Sequence, residues 1–265
     1  MSIKFVRAGQ RSYDQLRPLR VIYDVFKYSS GSTLFEMGNT KVLCSVTLQQ
    51  GVPHFLRGKK TGWLTAEYSL LPASTPIRTV REVTANKRSG RTIEISRLIG
   101  RSLRSVVNLA ALGEQTVFMD CDILQADGGT RIACITAAYL ALRAAQTVWL
   151  EEGILLEPMI TDELAAVSVG LCRETPLLDL DFIEDSGTEA DFNFVLTRSG
   201  RVVEIQGSAE RFPLTWDQYD HMKALAIKGV GELFSFYDKN IYELIRSDKI
   251  AAAFIRSTPS FSLYE

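Results

Sequence analysis

Residues Gln125 to Ala145 read QADGGTRIACITAAYLALRAA, and the rest of the chain is organised around this stretch. An apolar run with strand character, Thr116 to Leu124, leads into it, and a polar turn separates that run from a segment rich in alanine. The pattern predicts a strand, a turn and a helix that packs closely on a sheet. Gly128 and Gly129 permit positive φ angles and a close approach of the backbone to a ligand.

This turn has the chemistry of an anion site. The free N–H groups at the start of a helix, together with the helix dipole, attract negative charge. Thr130 adds a hydroxyl, and Arg131 adds a planar, permanently charged group that suits phosphate. The ordinary alternative is a strand-to-helix turn with a solvated arginine, and the turn by itself leaves both interpretations open.

The composition is that of a globular protein. The chain has 265 residues, of which 46% are hydrophobic and 23% charged, which suits one large domain or two closely associated ones. The four cysteines contain no C-x-x-C pair, and the two histidines are too few for a zinc site. No apolar run suggests a membrane span, and the N-terminus is not a signal peptide, so we expect a cytoplasmic protein with reduced cysteines.

Charge is segregated along the chain although the formal net charge is only −1. Residues 78–104 hold eight arginines and lysines, whereas residues 179–191 hold six acids and no base. A basic segment and an acidic cluster suit a polyanionic partner and a divalent metal ion. Two solvated loops of opposite sign are the common alternative.

The coarse pattern predicts an α/β protein in which each half has strands with a hairpin, followed by a helix. Strands are expected near 20–28, 62–72, 116–124, 164–172 and 176–185, with hairpin turns at Gly38-Asn39 and Ser199-Gly200. Helices are expected from Arg91 to a cap at Gly113, after Gly129, and over 216–236 and 241–255. No flexible linker separates the halves, so we expect a single domain over 1–265, with halves at about 11–150 and 160–240 and a divergent tail at 241–265.

Three features call for a common explanation: the anion site at Gly129–Arg131, a second arginine (Arg91) at the start of a helix, and the carboxylates Asp179 and Asp185. Phosphate held by the arginines beside a metal-bound phosphodiester could attack it, and a carboxylic acid could protonate the leaving oxygen. Hydrolysis by a metal-dependent nuclease is an alternative, but it leaves the anion site unexplained.

Several long runs resemble the bacterial ribonuclease PH family. They are RxxDQLRP from Arg11, GWLTAEYSLLP (62–72), SGRTIEISRLIGRSLRSVV (89–107), LGEQTVFMDCDILQADGGTRIACITAA (112–138) and LLDLDFIEDSGTEADFNFVLTRSGRVVEIQGSAE (177–210). The resemblance covers about Arg11 to Lys228. It implies a two-half β-sheet and helix sandwich related to the ribosomal protein S5 domain 2-like fold, and a hexamer built as a trimer of dimers.

The resemblance also implies an activity and roles for residues. Such enzymes are phosphate-dependent 3′→5′ exoribonucleases that trim tRNA precursors, release nucleoside diphosphates and run in reverse. The expected catalytic residues are Arg91, Arg131, Asp179 and Asp185, with Asp185 favoured as the acid. Phosphate would contact Arg91, Gly129, Thr130 and Arg131; Mg²⁺ or Mn²⁺ would contact Asp179, Asp185 and, as a weaker third candidate, Asp191. RNA is expected at Arg78, Arg81, Lys87 and Arg88 of the basic loop.

The competing hypothesis from another class is a non-catalytic, RNA-binding ring subunit of the exosome type. Such subunits typically lack phosphate-site or acidic residues of the family. This chain retains both sets, which favours the enzyme.

Overall fold

Nine β-strands and four α-helices form the part of the chain that the computed structural model describes, which is Arg7, residues 10–82, Thr84 and residues 87–246, with the backbone alone for 241–246. The strands form two sheets, one in each half of the chain. The predicted mixed α/β architecture with two halves is confirmed.

The first sheet has five strands in the order β1-β2-β3-β5-β4. The strands are β1 (Leu19–Tyr23), β2 (Gly31–Met37), β3 (Thr40–Gln50), β4 (Trp63–Leu70) and β5 (Gln115–Gln125). The three pairs β1-β2, β2-β3 and β3-β5 are antiparallel, whereas β4 lies parallel to β5. A parallel pair needs a long connection, and helix α1 (Gly90–Arg104) lies within it.

The hairpin predicted at Gly38-Asn39 joins β2 to β3, with Met37 opposite Thr40. Gly38 has φ +58°, in the left-handed region that glycine adopts without steric cost. The first strand is shorter than predicted and ends at Tyr23.

The second sheet has four antiparallel strands in the order β7-β6-β8-β9. They are β6 (Leu164–Cys172), β7 (Thr175–Leu178), β8 (Ala190–Thr197) and β9 (Val202–Ala209). The predicted turn at Ser199-Gly200 joins β8 to β9. All nine residues of β6 are buried, as befits a central strand covered on both faces.

The acidic segment folds differently from the prediction of one strand over 176–185. Strand β7 ends at Leu178, and Asp179 takes a left-handed φ of +57°. Asp181 then begins the short helix α3 (Phe182–Gly187), where it forms a capping box with Glu184. A capping box satisfies the free N–H groups of a first helical turn, so the local sequence favours a helix start over a continued strand.

Helix α2 (Thr130–Glu151) packs against β2 and β3 of the first sheet and β6 of the second, and core residues of both halves form one continuous cluster. In the described part of the chain it is the one helix that is long and apolar enough to cross a membrane. However, 83% of the corresponding window is buried inside the protein, as in a core helix.

Two helix boundaries differ from the predictions. Helix α1 ends at Arg104, and Gly113 instead ends a separate 3-10 turn at Leu109–Leu112. Helix α4 runs without a break over Trp216–Arg246. Residues 241–246, which were predicted to start a separate helix over 241–255, therefore belong to the end of α4. The rest of that prediction, and the tail from 247 to 265, lie outside the described residues.

Candidate active site

A cavity of about 60 Å³, here called the small cavity, lies where the two halves of the chain meet. Its lining residues are Arg91, Gly129, Thr130, Arg131, Ser168, Asp185, Asp191 and Asn193. The first half contributes the arginines and the start of α2, and the second half contributes the two carboxylates. The structure therefore brings together the predicted phosphate residues and two of the three predicted acids.

The start of α2 forms one wall of the small cavity. Gly129 is the N-cap of this helix with φ +63°, and no side chain caps the first N–H groups. Uncapped N–H groups at the positive end of a 22-residue helix favour an anion. Thr130 is buried at this position and accepts a hydrogen bond from the hydroxyl of Tyr68.

Two arginines flank this helix start. Arg91 lies in the first turn of α1, whose N-cap Ser89 accepts a 3.0 Å hydrogen bond from the Thr92 N–H. Arg131 lies in the first turn of α2, and its Nη2 donates to Glu94 Oε2 at 3.2 Å. The Glu94 contact orients one arm of the guanidinium and leaves other N–H groups for a ligand.

Asp185 on α3 and Asp191 on β8 form the opposite wall. Burial raises the pKa of both carboxyl groups. The pKa of Asp191 reaches about 6, to which the neighbouring charge of Asp185 also contributes. Two carboxylates that repel each other in a buried place favour a bound proton or a cation between them.

The pair of carboxylates suits a divalent ion that takes most of its ligands from water and substrate. In the ranges that the structure describes, no group of three or more His, Cys, Asp or Glu side chains has the arrangement of a metal site. Mg²⁺ commonly takes one or two carboxylates and completes its octahedron with water and substrate phosphate oxygens. Asp185 and Asp191 fit this requirement, whereas they would not fit a metal held by protein ligands alone.

Asp179, the third predicted acid, does not line the small cavity. Its carboxylate is buried and forms ion pairs with Arg17 at 2.7 Å and with Arg11 at 3.6 Å. The left-handed turn after β7 directs the Asp179 side chain toward the N-terminal arm, which is the segment before β1 that carries Arg11 and Arg17. Asp179 is therefore not beside Asp185 and Asp191, with which it was expected to bind a metal ion.

The sequence reasoning missed Ser168 and Asn193, which face the small cavity from β6 and β8. The two residues are directly opposite each other in the antiparallel pair, and both are buried. Alternation along a strand places Asp191 and Asn193 on the same face of β8. The two-residue spacing could be read in the sequence, but it shows that this face of β8 lines the cavity only once β8 has been paired with β6.

A second depression, here called the large cleft, has a volume of about 770 Å³ and shares Arg91 with the small cavity. Three of the four predicted RNA-binding residues line it: Arg81, Lys87 and Arg88. Arg78 is also exposed, but among the described residues it is not part of this lining. The cleft also carries acids, and Arg88 forms an ion pair with Glu67 at 2.9 Å.

Comparisons with known proteins identify the family of this chain. Residues 15–147 match the profile of domain 1 of the 3′ exoribonuclease family, and residues 162–229 match the profile of its domain 2. A ribonuclease PH of Neisseria meningitidis serogroup B is 52% identical over 223 residues, which are 84% of this chain and 92% of the relative. A ribonuclease PH of Syntrophomonas wolfei is 50% identical over 86% of this chain and 96% of the relative.

Solved structures with the same fold are more distant in sequence. An Archaeoglobus fulgidus exosome structure with RNA bound to the active site superposes with a TM-score of 0.75 at 22% identity, covering 87% of this chain and 92% of that one. An archaeal exosome core gives a TM-score of 0.70 at 23% identity, covering 88% and 91%. The profile matches, the identity over most of both chains and the shared fold together show that this chain belongs to the 3′ exoribonuclease family, in its ribonuclease PH branch.

Proposed function

We propose that this chain is a phosphorolytic 3′→5′ exoribonuclease whose reaction takes place in the small cavity. The observation that supports this most directly is the opposition of two walls. One wall, here called the phosphate wall, has Arg91, Thr130, Arg131 and an uncapped helix start; the other, here called the acidic wall, has Asp185 and Asp191. An anion and a cation-bound phosphodiester can thus be held next to each other.

Inorganic phosphate is the co-substrate that the first wall suits. Two guanidinium groups, the Thr130 hydroxyl and the N-terminal N–H groups of α2 neutralise and orient it. A phosphate oxygen attacks the phosphorus of the last phosphodiester, the bond from that phosphorus to the 3′ oxygen breaks, and a nucleoside diphosphate is released. In the reverse direction the same geometry adds a nucleotide to an RNA 3′ end.

The second wall receives the leaving oxygen. The 3′ oxygen of the shortened RNA needs a proton, and the raised pKa of Asp191, about 6, and that of Asp185 indicate a pair able to hold one. Because the two carboxyls are coupled, we assign proton delivery and metal binding to them as a pair. Mg²⁺ or Mn²⁺ bound there would stabilise charge on the reacting phosphate.

RNA reaches the small cavity through the large cleft. The two share Arg91, so a 3′ end that enters between Arg81, Lys87 and Arg88 leads directly to the phosphate wall. Arg78 extends the exposed basic loop beyond the cleft. We propose the 3′ ends of tRNA precursors as the substrate, as the resemblance implies; the exosome relative has RNA at its active site, which accords with this path.

We also propose a hexamer, a trimer of dimers, in the cytoplasm. Large apolar side chains are exposed on several elements, including Tyr28, Ile183 and Trp216, and such surface suits contacts between subunits. The four cysteines are buried and free, which suits a reducing compartment. Light scattering after size exclusion tests the assembly, and a monomeric mass would contradict it.

The reaction is tested by product identity. We would incubate the protein with Mg²⁺ and an RNA with an unpaired 3′ tail, with and without inorganic phosphate. Nucleoside diphosphates that appear only with phosphate are the expected result. Monophosphates released without phosphate would indicate hydrolysis, and bound RNA without turnover would indicate a non-catalytic ring subunit. Arg131→Ala should abolish the phosphate-dependent products and retain most RNA binding, since the large cleft is intact.

A further inference from the structure

Arg17 and Asp179 form a buried ion pair that joins the N-terminal arm to the second half of the chain. Asp179 Oδ1 accepts a 2.7 Å hydrogen bond from Arg17 Nη2. Asp179 Oδ2 accepts from Arg17 Nε at 3.0 Å and from the Arg17 main-chain N–H at 2.7 Å. A two-pronged pair with a third bond to the backbone fixes the two groups in one relative orientation.

The same guanidinium holds the turn that leads into α2. Arg17 Nη1 donates to the carbonyl oxygen of Asp127, and Nη2 lies 3.5 Å from the carbonyl oxygen of Gly128. Arg17 is also close to Gly129, where an added Cβ would lie 3.1 Å from Nη2. Arg17 therefore supports the phosphate wall from behind without lining the small cavity.

Asp179 holds the chain that leads to the acidic wall. Its φ of +57° is uncommon for a residue other than glycine. Its N–H donates to the Ser168 carbonyl at 2.8 Å, and its carbonyl accepts from Arg7 Nη2 at 2.9 Å. These bonds fix the backbone at the point where it turns into α3, the helix that carries Asp185.

We propose that Arg17 and Asp179 are positioning residues that set the separation between the phosphate wall and the acidic wall of the small cavity. This inference rests on the proposed phosphorolytic function. The two walls belong to different halves of the chain, and the ion pair touches the supporting backbone of both. A misplacement of about 1 Å between reacting groups costs on the order of 100-fold in rate, so such a connection affects turnover without touching the substrate.

Arg17→Lys tests the connection. Lysine keeps a positive charge beside Asp179, but it lacks the planar fork that reaches the carboxylate and the turn carbonyls together. We expect the Kd for inorganic phosphate, measured by calorimetry on the RNA-free protein, to weaken about tenfold, and kcat to fall roughly 10- to 100-fold. RNA binding in the absence of phosphate should stay within about twofold of the wild type, because the large cleft does not contact Arg17.

Arg198→Lys is the matched control. Arg198 also forms a two-pronged pair, donating to Asp238 at 2.8 and 3.1 Å, and it donates to the Phe234 carbonyl at 3.1 Å. Both of these partners lie on α4, and neither belongs to the turn at 127–129 or to α3. We expect its phosphate Kd to stay within about twofold of the wild type. Equal weakening in Arg198→Lys and Arg17→Lys would overturn the proposal, because it would reduce both effects to general destabilisation.

Asp179→Asn is made in parallel in case Arg17→Lys fails to fold. Asparagine has nearly the same volume and tolerates the left-handed conformation, so it removes the charge from the pair with little change in shape. The same weakening of phosphate binding is expected. An unchanged phosphate Kd in a folded variant of either residue overturns the positioning role alone, whereas a wild-type protein that releases no diphosphates contradicts the proposed function instead.

Discussion

The hydroxyl of Tyr68 donates a 3.2 Å hydrogen bond to the hydroxyl of Thr130 at the start of α2. Tyr68 lies on β4 and is buried, and burial raises its pKa to about 12, so it remains a donor at any working pH. Since the Thr130 oxygen already accepts this bond, its own hydrogen is directed elsewhere, and the small cavity is the polar space beside it. A residue of β4 thus supports the phosphate wall, and no local sequence motif predicts this contact between Tyr68 and Thr130.

Tyr68→Phe should therefore weaken phosphate binding without removing it. The loss of one neutral hydrogen bond to Thr130, for which we propose a contact with phosphate, corresponds to about 1 kcal/mol, or roughly a fivefold rise in the KM for phosphate. The change in kcat should be small, because Tyr68 does not line the small cavity. Steady-state phosphorolysis at varied phosphate concentration measures both quantities. A large fall in kcat with unchanged KM would show that Thr130 does not depend on this contact.

Asp191→Asn should stabilise the folded protein at pH 8 while it removes activity. The pKa of Asp191, about 6, lies above its ordinary value of 3.8, so the folded state binds this proton more tightly than the unfolded chain does. The free energy of unfolding consequently falls as the pH rises from about 4 to 6 and stays reduced above that range. Asparagine at position 191 abolishes this fall and should raise the free energy of unfolding at pH 8 by about 1–3 kcal/mol.

Chemical denaturation of the metal-free protein at pH 4.5 and pH 8 measures this difference. The gain should shrink at the lower pH, where Asp191 is largely protonated. Glu157→Gln is the control, because that carboxylate is exposed. A gain of equal size at both pH values would mean that burial of the Asp191 charge is not its cause.

Gly128→Ala should destabilise the protein more than its backbone angle alone explains. Gly128 has φ +75°, and an added Cβ would lie 2.6 Å from the carbonyl carbon of Asp181 and from the Leu180 oxygen. The strain and the clash with backbone atoms together amount to about 2–4 kcal/mol. Gly153→Ala separates the two effects, since Gly153 has φ +71° and open space around it. Similar losses in the two variants would contradict the close contact between the halves.

The basic side chains of the large cleft should govern the salt dependence of RNA binding. Each phosphate contact on a single strand adds about 0.7 to the slope of log K against log salt, so Ala at Arg81, Lys87 and Arg88 should lower the slope by about 2. Filter binding at salt concentrations from roughly 50 to 300 mM, with the protein concentration varied around the Kd, measures this slope. Alanine at Arg57, Lys59 and Lys239, three exposed cations outside both depressions, gives the control. An unchanged slope in the first variant would locate the RNA elsewhere.

Much of the fold followed from local patterns in the sequence. The two hairpin turns, the strand before Gly128 and the alanine-rich helix after it have short-range physical causes, namely turn chemistry and hydrophobic periodicity. The boundaries at Arg104 and within α4 did not follow from the pattern, because apolar residues continue past the point where the first helix ends and across the gap assumed between 236 and 241.

The sequence by itself indicated the wall at which we propose that phosphate binds. A glycine turn, a hydroxyl, an arginine and a helix start lie together in Gly129–Arg131, so their chemistry is local and needs no partner to be recognised. Arg91 could be added because the apolar spacing that follows it also predicts a helix beginning there, and Arg91 does lie in the first turn of α1. Burial along one stripe of α1 was likewise fixed by its spacing, and Ile95, Leu98 and Ile99 are buried.

Only the tertiary structure decided which acids face that wall. Residues 179–191 contain six carboxylates, and composition cannot rank them. Asp179 pairs with Arg17, which lies 162 positions away in the sequence, and so it does not face the small cavity. The capped turn of α3 places Asp185 at the cavity, and the pairing of β8 with β6 places Asp191 there. The direction of a side chain at a chain reversal depends on contacts distant in sequence, and these form only when the two halves have packed together.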